Sequence, residues 1–182
     1  GLSPSPFLLS SSAPFGYVAG GKPEPGTSTV DRIDYSNDTA TAVARGPLSS
    51  ARYSLAATGN VNFGYFGGGR TSSSPGGVST VDRTDYSNDT ATALVRGPLP
   101  VAKRNFSATG NSSFGYFGGG IPGPLSTVDR IDYSSDTGTA PSKGPLSLAR
   151  GYLAATGNAD FGYFAGGSGP KSTVDRIDYS ND

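Results

Sequence analysis

Short segments in which aromatic or aliphatic residues alternate with small or polar ones follow one another along the whole chain, separated by glycine, proline and Asn-Asp pairs. This two-residue alternation is typical of β-strands with one buried face. In residues 61–111 it predicts four strands, at residues 63–69, 79–87, 90–96 and 103–110. No segment has the apolar period of an amphipathic helix. The pattern therefore predicts an all-β chain of short antiparallel strands.

The same order of segments occurs almost four times along the chain. A glycine-rich aromatic segment begins at Gly16, Gly64, Gly115 and Gly162, and a segment of the type STVDR(I/T)DYS follows each one. The first valines of this second segment, Val30, Val81, Val128 and Val174, are separated by 51, 47 and 46 residues. A period of about 50 residues is typical of architectures in which small units stack on one another.

We predict a single repeat array over residues 1–182, with a partial last strand at 1–13, complete units at 14–60, 61–111 and 112–158, and a partial unit at 159–182. The apolar side chains of one unit are too few to offset the conformational entropy lost when it becomes ordered. Neighbouring units must therefore cover both faces of each small sheet. The recurring aromatic side chains are expected to pack between units. They are Tyr17, Tyr65, Tyr116, Tyr163, Phe66, Phe117 and Phe164.

Composition and charge limit the classes of function. The chain has 28 glycines and 14 prolines but only 15% charged residues, which fits a turn-rich β protein better than charge-driven disorder. Lys plus Arg and Asp plus Glu number 14 each, so no net positive charge is available to attract nucleic acid. No apolar run is long enough to span a membrane as a helix, and membrane insertion is not expected.

The residues that the chain lacks argue against catalysis. It contains no Cys, His, Met or Trp. Disulfides, thiolate nucleophiles, imidazole bases and the usual zinc and copper ligands are therefore excluded. None of the glycine clusters has the Lys-Ser/Thr of a phosphate-binding loop, so we expect neither a cofactor nor an enzyme. The lack of oxidisable sulfur suits an extracellular location, and the lack of Met indicates a mature, processed or partial chain.

The units resemble kelch repeats. The shared features are an aromatic strand that ends in two glycines, a Val-Asp-Arg-(Ile/Thr)-Asp strand, and a proline turn followed by a cation. They comprise Gly20-Gly21, Gly68-Gly69, Gly119-Gly120 and Gly166-Gly167; residues 30–34, 81–85, 128–132 and 174–178; and Pro47 with Arg52, Pro98 with Lys103, and Pro145 with Arg150. The kelch Trp is missing, and small residues such as Ala42 and Ala93 stand in its place. The resemblance implies four-stranded antiparallel sheets that form the blades of a β-propeller or blade array.

The two ends of the chain leave three arrangements open. The sequence begins on the last strand of one unit and ends after the second strand of another. A closed four-blade ring would then lack one strand. The alternatives are a four-blade ring, a piece of a larger propeller, and an assembly in which a neighbour supplies the missing strand to an open sheet edge.

The charged residues of the repeated Val-Asp-Arg segments are predicted to form structural ion pairs. In this prediction the arginine of each unit contacts an aspartate of the same unit or the next. The residues concerned are Asp31, Arg32, Asp34, Asp82, Arg83, Asp85, Asp129, Arg130, Asp132, Asp175, Arg176 and Asp178. Calcium binding by the recurring carboxylates is the alternative, although the glycine-containing acidic loop of calcium sites is absent.

Four asparagines in predicted turns are candidate N-glycosylation sites. Asn37, Asn88 and Asn111 belong to Asn-X-Ser/Thr sequons, and Asn181 would complete another if a threonine followed Asp182. The alternative is that Asn-Asp pairs simply favour tight turns.

These features favour a non-enzymatic structural repeat protein. It would be the building block of an extracellular filament, a surface assembly or a virion fibre, and its main partner would be further copies of itself. The expected location is extracellular or on a cell or virion surface. The alternative is a carbohydrate- or protein-binding propeller module of the adhesin or receptor-binding type, whose variable loops at residues 22–27, 70–78, 121–125 and 168–171 line one rim.

Overall fold

The computed structural model describes residues 14–21, 26–74 and 76–182. In these ranges the chain forms β-strands, one short 3-10 turn at Tyr86–Asn88, and no α-helix. The strands are β1 (Phe15–Ala19), β2 (Val30–Asp34), β3 (Val43–Arg45), β4 (Ala56–Gly59), β5 (Phe63–Gly67), β6 (Val81–Asp85), β7 (Leu94–Arg96), β8 (Ser107–Gly110), β9 (Phe114–Gly118), β10 (Val128–Asp132), β11 (Leu153–Gly157), β12 (Phe161–Gly166) and β13 (Val174–Asp178). The strand predicted at residues 1–13 lies outside the described residues. No helix in the described ranges could cross a membrane.

The strands form four small antiparallel sheets, which confirms the all-β prediction. Sheet 1 has the order β1-β2-β3, sheet 2 has β4-β5-β6-β7, sheet 3 has β8-β9-β10, and sheet 4 has β11-β12-β13. In every sheet the tyrosine of the aromatic strand lies opposite the arginine of the next strand. These pairs are Tyr17 with Arg32, Tyr65 with Arg83, Tyr116 with Arg130, and Tyr163 with Arg176.

The sheets are offset by one strand from the sequence units. The last strand of each unit pairs with the aromatic strand of the following unit, as β4 does with β5. Only residues 60–62 connect these two strands, and Asn60 Oδ1 accepts hydrogen bonds from the backbone N–H groups of Asn62 and Phe63 at 2.9 and 3.0 Å. Strands joined by so tight a turn pair with each other. The longer connection at residues 97–106 instead carries the chain from sheet 2 to sheet 3.

Several strands are shorter than the alternation predicts, because local side-chain and backbone geometry ends them. β6 ends at Asp85, whose carboxylate accepts hydrogen bonds from the N–H and the hydroxyl of Ser87 and so caps the 3-10 turn. β8 begins at Ser107 instead of residue 103, since Asn105 adopts a positive φ of 53° that a continuous strand does not permit. β7 keeps only the last three residues of the predicted segment 90–96.

The sheets stack in chain order, and the first strands of sheets 2, 3 and 4 lie side by side. β8 lies against both β4 and β11. At each interface the first valine of the Val-Asp-Arg strand is fully buried, as in Val30, Val81 and Val128. The Phe117 ring packs directly on Gly67, and the Phe164 ring packs in the same way on Gly118. Six of the seven predicted aromatic side chains therefore lie between the sheets, and Tyr163 lies outside the three apolar clusters.

Sheets 1 and 4 are the two ends of the stack in the described part of the chain. The apolar clusters join sheet 1 to sheet 2, sheet 2 to sheet 3, and sheet 3 to sheet 4. No closed ring is seen among the described residues.

Candidate functional site: the contact between neighbouring sheets

An aspartate in the loop after the Val-Asp-Arg strand reaches across to the preceding sheet. Asp89 follows β6 of sheet 2, and its Oδ2 accepts hydrogen bonds from the Tyr17 hydroxyl and from an Arg32 guanidinium nitrogen of sheet 1, both at 2.9 Å. Nε of Arg45 lies 3.3 Å from the same oxygen. One carboxylate therefore joins three strands of the neighbouring sheet, and the hydrogen bonds are charge-assisted.

The same contact occurs at the next two interfaces, and we call it the aspartate contact. Asp136 of sheet 3 accepts hydrogen bonds from Tyr65 and Arg83 of sheet 2, each at 2.8 Å. Asp182, after β13 of sheet 4, accepts them from Tyr116 at 2.9 Å and Arg130 at 2.8 Å. Because all three aspartates are largely buried, these contacts are stronger than exposed ion pairs.

Stacked tyrosines lie beside each aspartate contact. The ring of Tyr17 stacks on Tyr86 of the next sheet, with centroids 4.4 Å apart and planes within 5° of parallel. The pairs Tyr65–Tyr133 and Tyr116–Tyr179 have centroid separations of 4.8 Å.

In two of these stacks, the tyrosine of the later sheet also forms a hydrogen bond with a threonine of the preceding sheet. The Tyr133 hydroxyl lies 3.0 Å from Thr58 Oγ1. The Tyr179 hydroxyl lies 2.9 Å from Thr109 Oγ1. Tyr133 and Tyr179 are thereby fixed at the ring and at the polar end, which restricts the orientation of sheets 3 and 4 on their neighbours.

Burial in these contacts changes the acidity of the tyrosines. Desolvation, followed by the hydrogen bond to Asp89, raises the pKa of Tyr17 to about 12. Desolvation also raises the pKa of Tyr86 to about 12. Desolvation by burial is also the main cause that raises the pKa values of Tyr65, Tyr116 and Tyr133. The neutral phenols are therefore part of the folded contact.

The arginines of the Val-Asp-Arg strands also stack on phenylalanine rings of their own sheets. Arg83 lies over the ring of Phe63, 4.4 Å from its centroid, and Arg130 lies over Phe114 at 4.4 Å. In sheet 1 the Arg32–Phe15 distance is 4.2 Å, and in sheet 4 the Arg176–Phe161 distance is 4.5 Å. A guanidinium stacked on an aromatic ring loses less conformational freedom when it binds a carboxylate.

A second kind of ion pair lies inside individual sheets. Arg52 contacts Asp82 at 2.9 Å, with both side chains fully buried. Lys103 contacts Asp129 at 2.8 Å under the same conditions. In sheet 4 Arg150 contacts Asp175 at 2.8 Å. Burial lowers the pKa of Arg52 and of Lys103, and the neighbouring carboxylate opposes that change.

The structure places the predicted ion-pair residues in three roles. Asp82, Asp129 and Asp175 join the buried cations of their own sheets, whereas Arg32, Arg83 and Arg130 join an aspartate of the next sheet. The last aspartates of the segments form turns instead of ion pairs, and Ser hydroxyl and backbone hydrogen bonds lower their pKa values. They are Asp34, Asp85, Asp132 and Asp178.

The predicted set did not name the three aspartates of the aspartate contact. Asp89, Asp136 and Asp182 lie in Ser-(Asn/Ser)-Asp sequences, which look like ordinary turns. Their recurrence four residues after the segment's last aspartate was the available signal. The sequence does not show which sheet these aspartates contact, because that depends on how the sheets pack.

Asp31 and Arg176 are the remaining members of that set. Asp31 occupies in sheet 1 the position of Asp82, and it lies opposite Val18 of β1 and Ala44 of β3. Arg176 stacks on Phe161, and no described residue provides it with a carboxylate partner.

The four candidate glycosylation sites differ in accessibility. Asn37, Asn88 and Asn181 are exposed in loops after the Val-Asp-Arg strands. Asn111 is engaged in its turn, because its Oδ1 accepts hydrogen bonds from the N–H groups of Ser113 and Phe114, both at 2.9 Å. For the calcium alternative, no group of three or more acidic side chains close enough to hold a metal ion occurs in the described ranges.

Three grooves of similar size lie between neighbouring sheets, at the rim formed by the β4–β5 and β6–β7 connections and their equivalents. Their volumes are about 430 Å³ between sheets 1 and 2, 440 Å³ between sheets 2 and 3, and 380 Å³ between sheets 3 and 4. Each is lined by the equivalent phenylalanine, tyrosine and serine, as with Phe63, Tyr86 and Ser87 in the first. The variable loops at residues 121–125 and 168–171 connect the opposite ends of the same strands, at the other rim.

No protein-family model matches the sequence, and no curated protein matches it.

Proposed function

We propose that this chain is a non-enzymatic structural repeat protein whose sheets are stacking units of a larger extracellular or surface assembly, such as a filament or a virion fibre. The observation that carries the proposal is the repetition of one aspartate contact at three successive interfaces. An interface that repeats along a chain can also repeat between chains, because each sheet presents the same two faces.

The finer proposal is a kelch-like, propeller-type arrangement of the sheets. In its support, the first strands β4, β8 and β11 lie side by side, while the Val-Asp-Arg strands lie further out in each sheet. Radial repetition of this kind leaves only short sheet edges. Further units, from the same chain or from another copy, would extend or close the arrangement.

Light scattering and negative-stain imaging over a range of protein concentrations test the proposed function. We expect ordered oligomers or filaments that become larger as the concentration rises. A monodisperse monomer at every concentration would contradict the proposal.

The second candidate function is a carbohydrate- or protein-binding module, and the three equivalent grooves favour it. Each groove combines a phenylalanine face with an aspartate and a serine, a combination that suits a sugar ring. On this account binding occurs at the rim opposite the variable loops. Binding of immobilised glycans by a monomer, weakened by Phe63→Ala together with Phe114→Ala, would support the module. Undiminished binding by that double variant would contradict the grooves as its site.

A further inference from the structure

We infer that the open face of sheet 4 binds the open face of sheet 1 in a second copy of this chain, head to tail. In this contact the Asp38 carboxylate of one copy accepts hydrogen bonds from Tyr163 and Arg176 of the other. This inference rests on the proposed function and specifies its contact. The expected interface is a fourth instance of the aspartate contact, formed between chains.

The open face of sheet 4 carries the apolar surface that the other sheets bury. Val174 is 60% exposed, whereas its equivalents Val30, Val81 and Val128 are fully buried by the following sheet. Gly166 has nothing within 4 Å of an added Cβ, whereas a Cβ at its equivalent Gly119 would meet the Arg150 carbonyl and the Leu153 side chain of the next sheet.

The same face has the donors of the aspartate contact already in position. Tyr163 lies opposite Arg176 in the β12–β13 register, as Tyr65 lies opposite Arg83. Arg176 is stacked on Phe161 as Arg83 is on Phe63. Neither Tyr163 nor Arg176 has a carboxylate partner among the described residues, although the equivalents in sheets 1 to 3 all do.

The open face of sheet 1 carries the complementary groups. Asp38 is exposed in the loop after β2, at the position that Asp89 occupies after β6. Tyr35 is 61% exposed, whereas its equivalents Tyr133 and Tyr179 are buried in tyrosine stacks. Val18 is 58% exposed at the position of the fully buried Phe117.

If the internal contact is repeated between these two faces, each exposed group named above gains a partner. Asp38 would meet Tyr163 and Arg176, Tyr35 would stack on Tyr163 and reach the exposed Thr156, and Val18 would cover the apolar surface beside Val174. A small acid could satisfy Arg176 but would leave Val174 and Thr156 in water. A second copy covers all of them, which is why we choose it as the occupant.

The two faces differ from each other, so the contact is heterologous. A heterologous contact either closes into a ring or continues as an open filament, depending on the rotation between copies. Either outcome is an assembly of identical chains with one kind of interface.

Two charge reversals test this pairing by complementation. Asp38→Arg places a cation against Arg176, and Arg176→Glu places an anion against Asp38, so each variant alone is expected to self-associate about 30-fold more weakly or worse. A 1:1 mixture restores assembly, because the cation introduced in the first variant then meets the anion introduced in the second. The unchanged Asp38 of the second variant likewise meets the unchanged Arg176 of the first. Sedimentation velocity measures both results.

The controls separate this inference from the proposed function. Ser72→Arg and Ser72→Glu place the same charges on an exposed loop of sheet 2 and are expected to assemble like the parent. Circular dichroism checks that each variant is folded, and Tyr163→Phe, which removes one hydroxyl, should weaken assembly without reversing charge. If the parent assembles but either reversal alone does so equally well, or the mixture is not restored, the pairing is wrong while the proposed function stands. If the parent never assembles, both fail.

Discussion

Asp89, Asp136 and Asp182 show how one short side chain orients an entire sheet. Each is the acceptor for a tyrosine hydroxyl and an arginine of the preceding sheet, at 2.8–2.9 Å. A carboxylate with two donors on different strands has few alternative positions, so it fixes the register between sheets as well as adding attraction. The apolar contacts around it are less directional.

The buried pair Lys103–Asp129 supports a first prediction. Lys103→Met leaves Asp129 buried without its cation, and we expect the free energy of unfolding to fall by about 3–5 kcal/mol. Urea denaturation followed by circular dichroism measures this loss. Lys171→Met, at an exposed position, is the matched control and should change stability by no more than about 0.5 kcal/mol. A loss below about 1 kcal/mol for Lys103→Met would contradict the structural role of the pair.

The tyrosines of the interfaces support a prediction about alkaline pH. Unfolded tyrosine has a pKa of about 10, and in the folded chain the pKa values of Tyr17 and Tyr86 are raised to about 12. Their contribution to stability is therefore complete below about pH 10 and is lost as the pH rises through about 12. We expect phenolate absorbance to rise together with the loss of the β-sheet signal in that window.

Phenolate absorbance that rises fully near the ordinary tyrosine pKa of about 10 while the sheet signal stays intact would contradict these buried tyrosines. Tyr17→Phe removes one hydroxyl and its hydrogen bond to Asp89. This variant should be less stable than the parent at neutral pH, by about 0.5–3 kcal/mol, since the Asp89 carboxylate loses a donor.

Among the elements, the connections between sheets contain positions at which only glycine fits. Gly46 and Gly97 follow β3 and β7, and their N–H groups donate to the carbonyls of Asp89 and Asp136 in the next sheet at 2.8 Å. A Cβ at Gly97 would overlap the Gly138 backbone carbonyl, whereas a Cβ at the equivalent Gly144 would meet nothing within 4 Å.

We therefore predict opposite outcomes for the same substitution at equivalent positions. Gly97→Ala should lower the free energy of unfolding by about 1–3 kcal/mol or more, because sheets 2 and 3 must separate locally. Gly144→Ala should be neutral or stabilising by up to about 1 kcal/mol, since alanine restricts the unfolded chain. Urea denaturation of both variants measures the difference. Equal effects would show that the two loops are packed alike.

Some features of the strands could be predicted from the sequence, and others could not. The recurring Val-Asp-Arg segments were enough to predict short antiparallel strands, whereas the predicted units grouped β4 with the strands before it and missed its hairpin with β5. The offset between sheets and sequence units was not predicted, because alternation shows which residues share a face but not which flanking strand is the partner. The end of β6 depends on a hydrogen bond between the side chains of Asp85 and Ser87, and the start of β8 depends on the positive φ of Asn105. The alternation of apolar and polar residues contains no information about either feature.

At the scale of the whole molecule, stability comes from contacts between sheets. The interior faces of the stack bury Val30, Val81 and Val128, while the end faces leave Val18 and Val174 in solvent. The aspartate contact could not be predicted from sequence in its three-dimensional form, since Asp89 lies 57 residues from Arg32 along the chain. What the repeats did predict is that the sheets need neighbours.

Hydrogen exchange measured at low and high protein concentration tests this central claim most directly. In the dilute monomer, amides of β6 and β10 should be strongly protected, and those of β13 should exchange faster because only one face of sheet 4 is covered. At high concentration β13 should become protected while β6 and β10 stay unchanged. Equal protection of β13, β6 and β10 in the dilute monomer, or no change of β13 on concentration, would contradict the account.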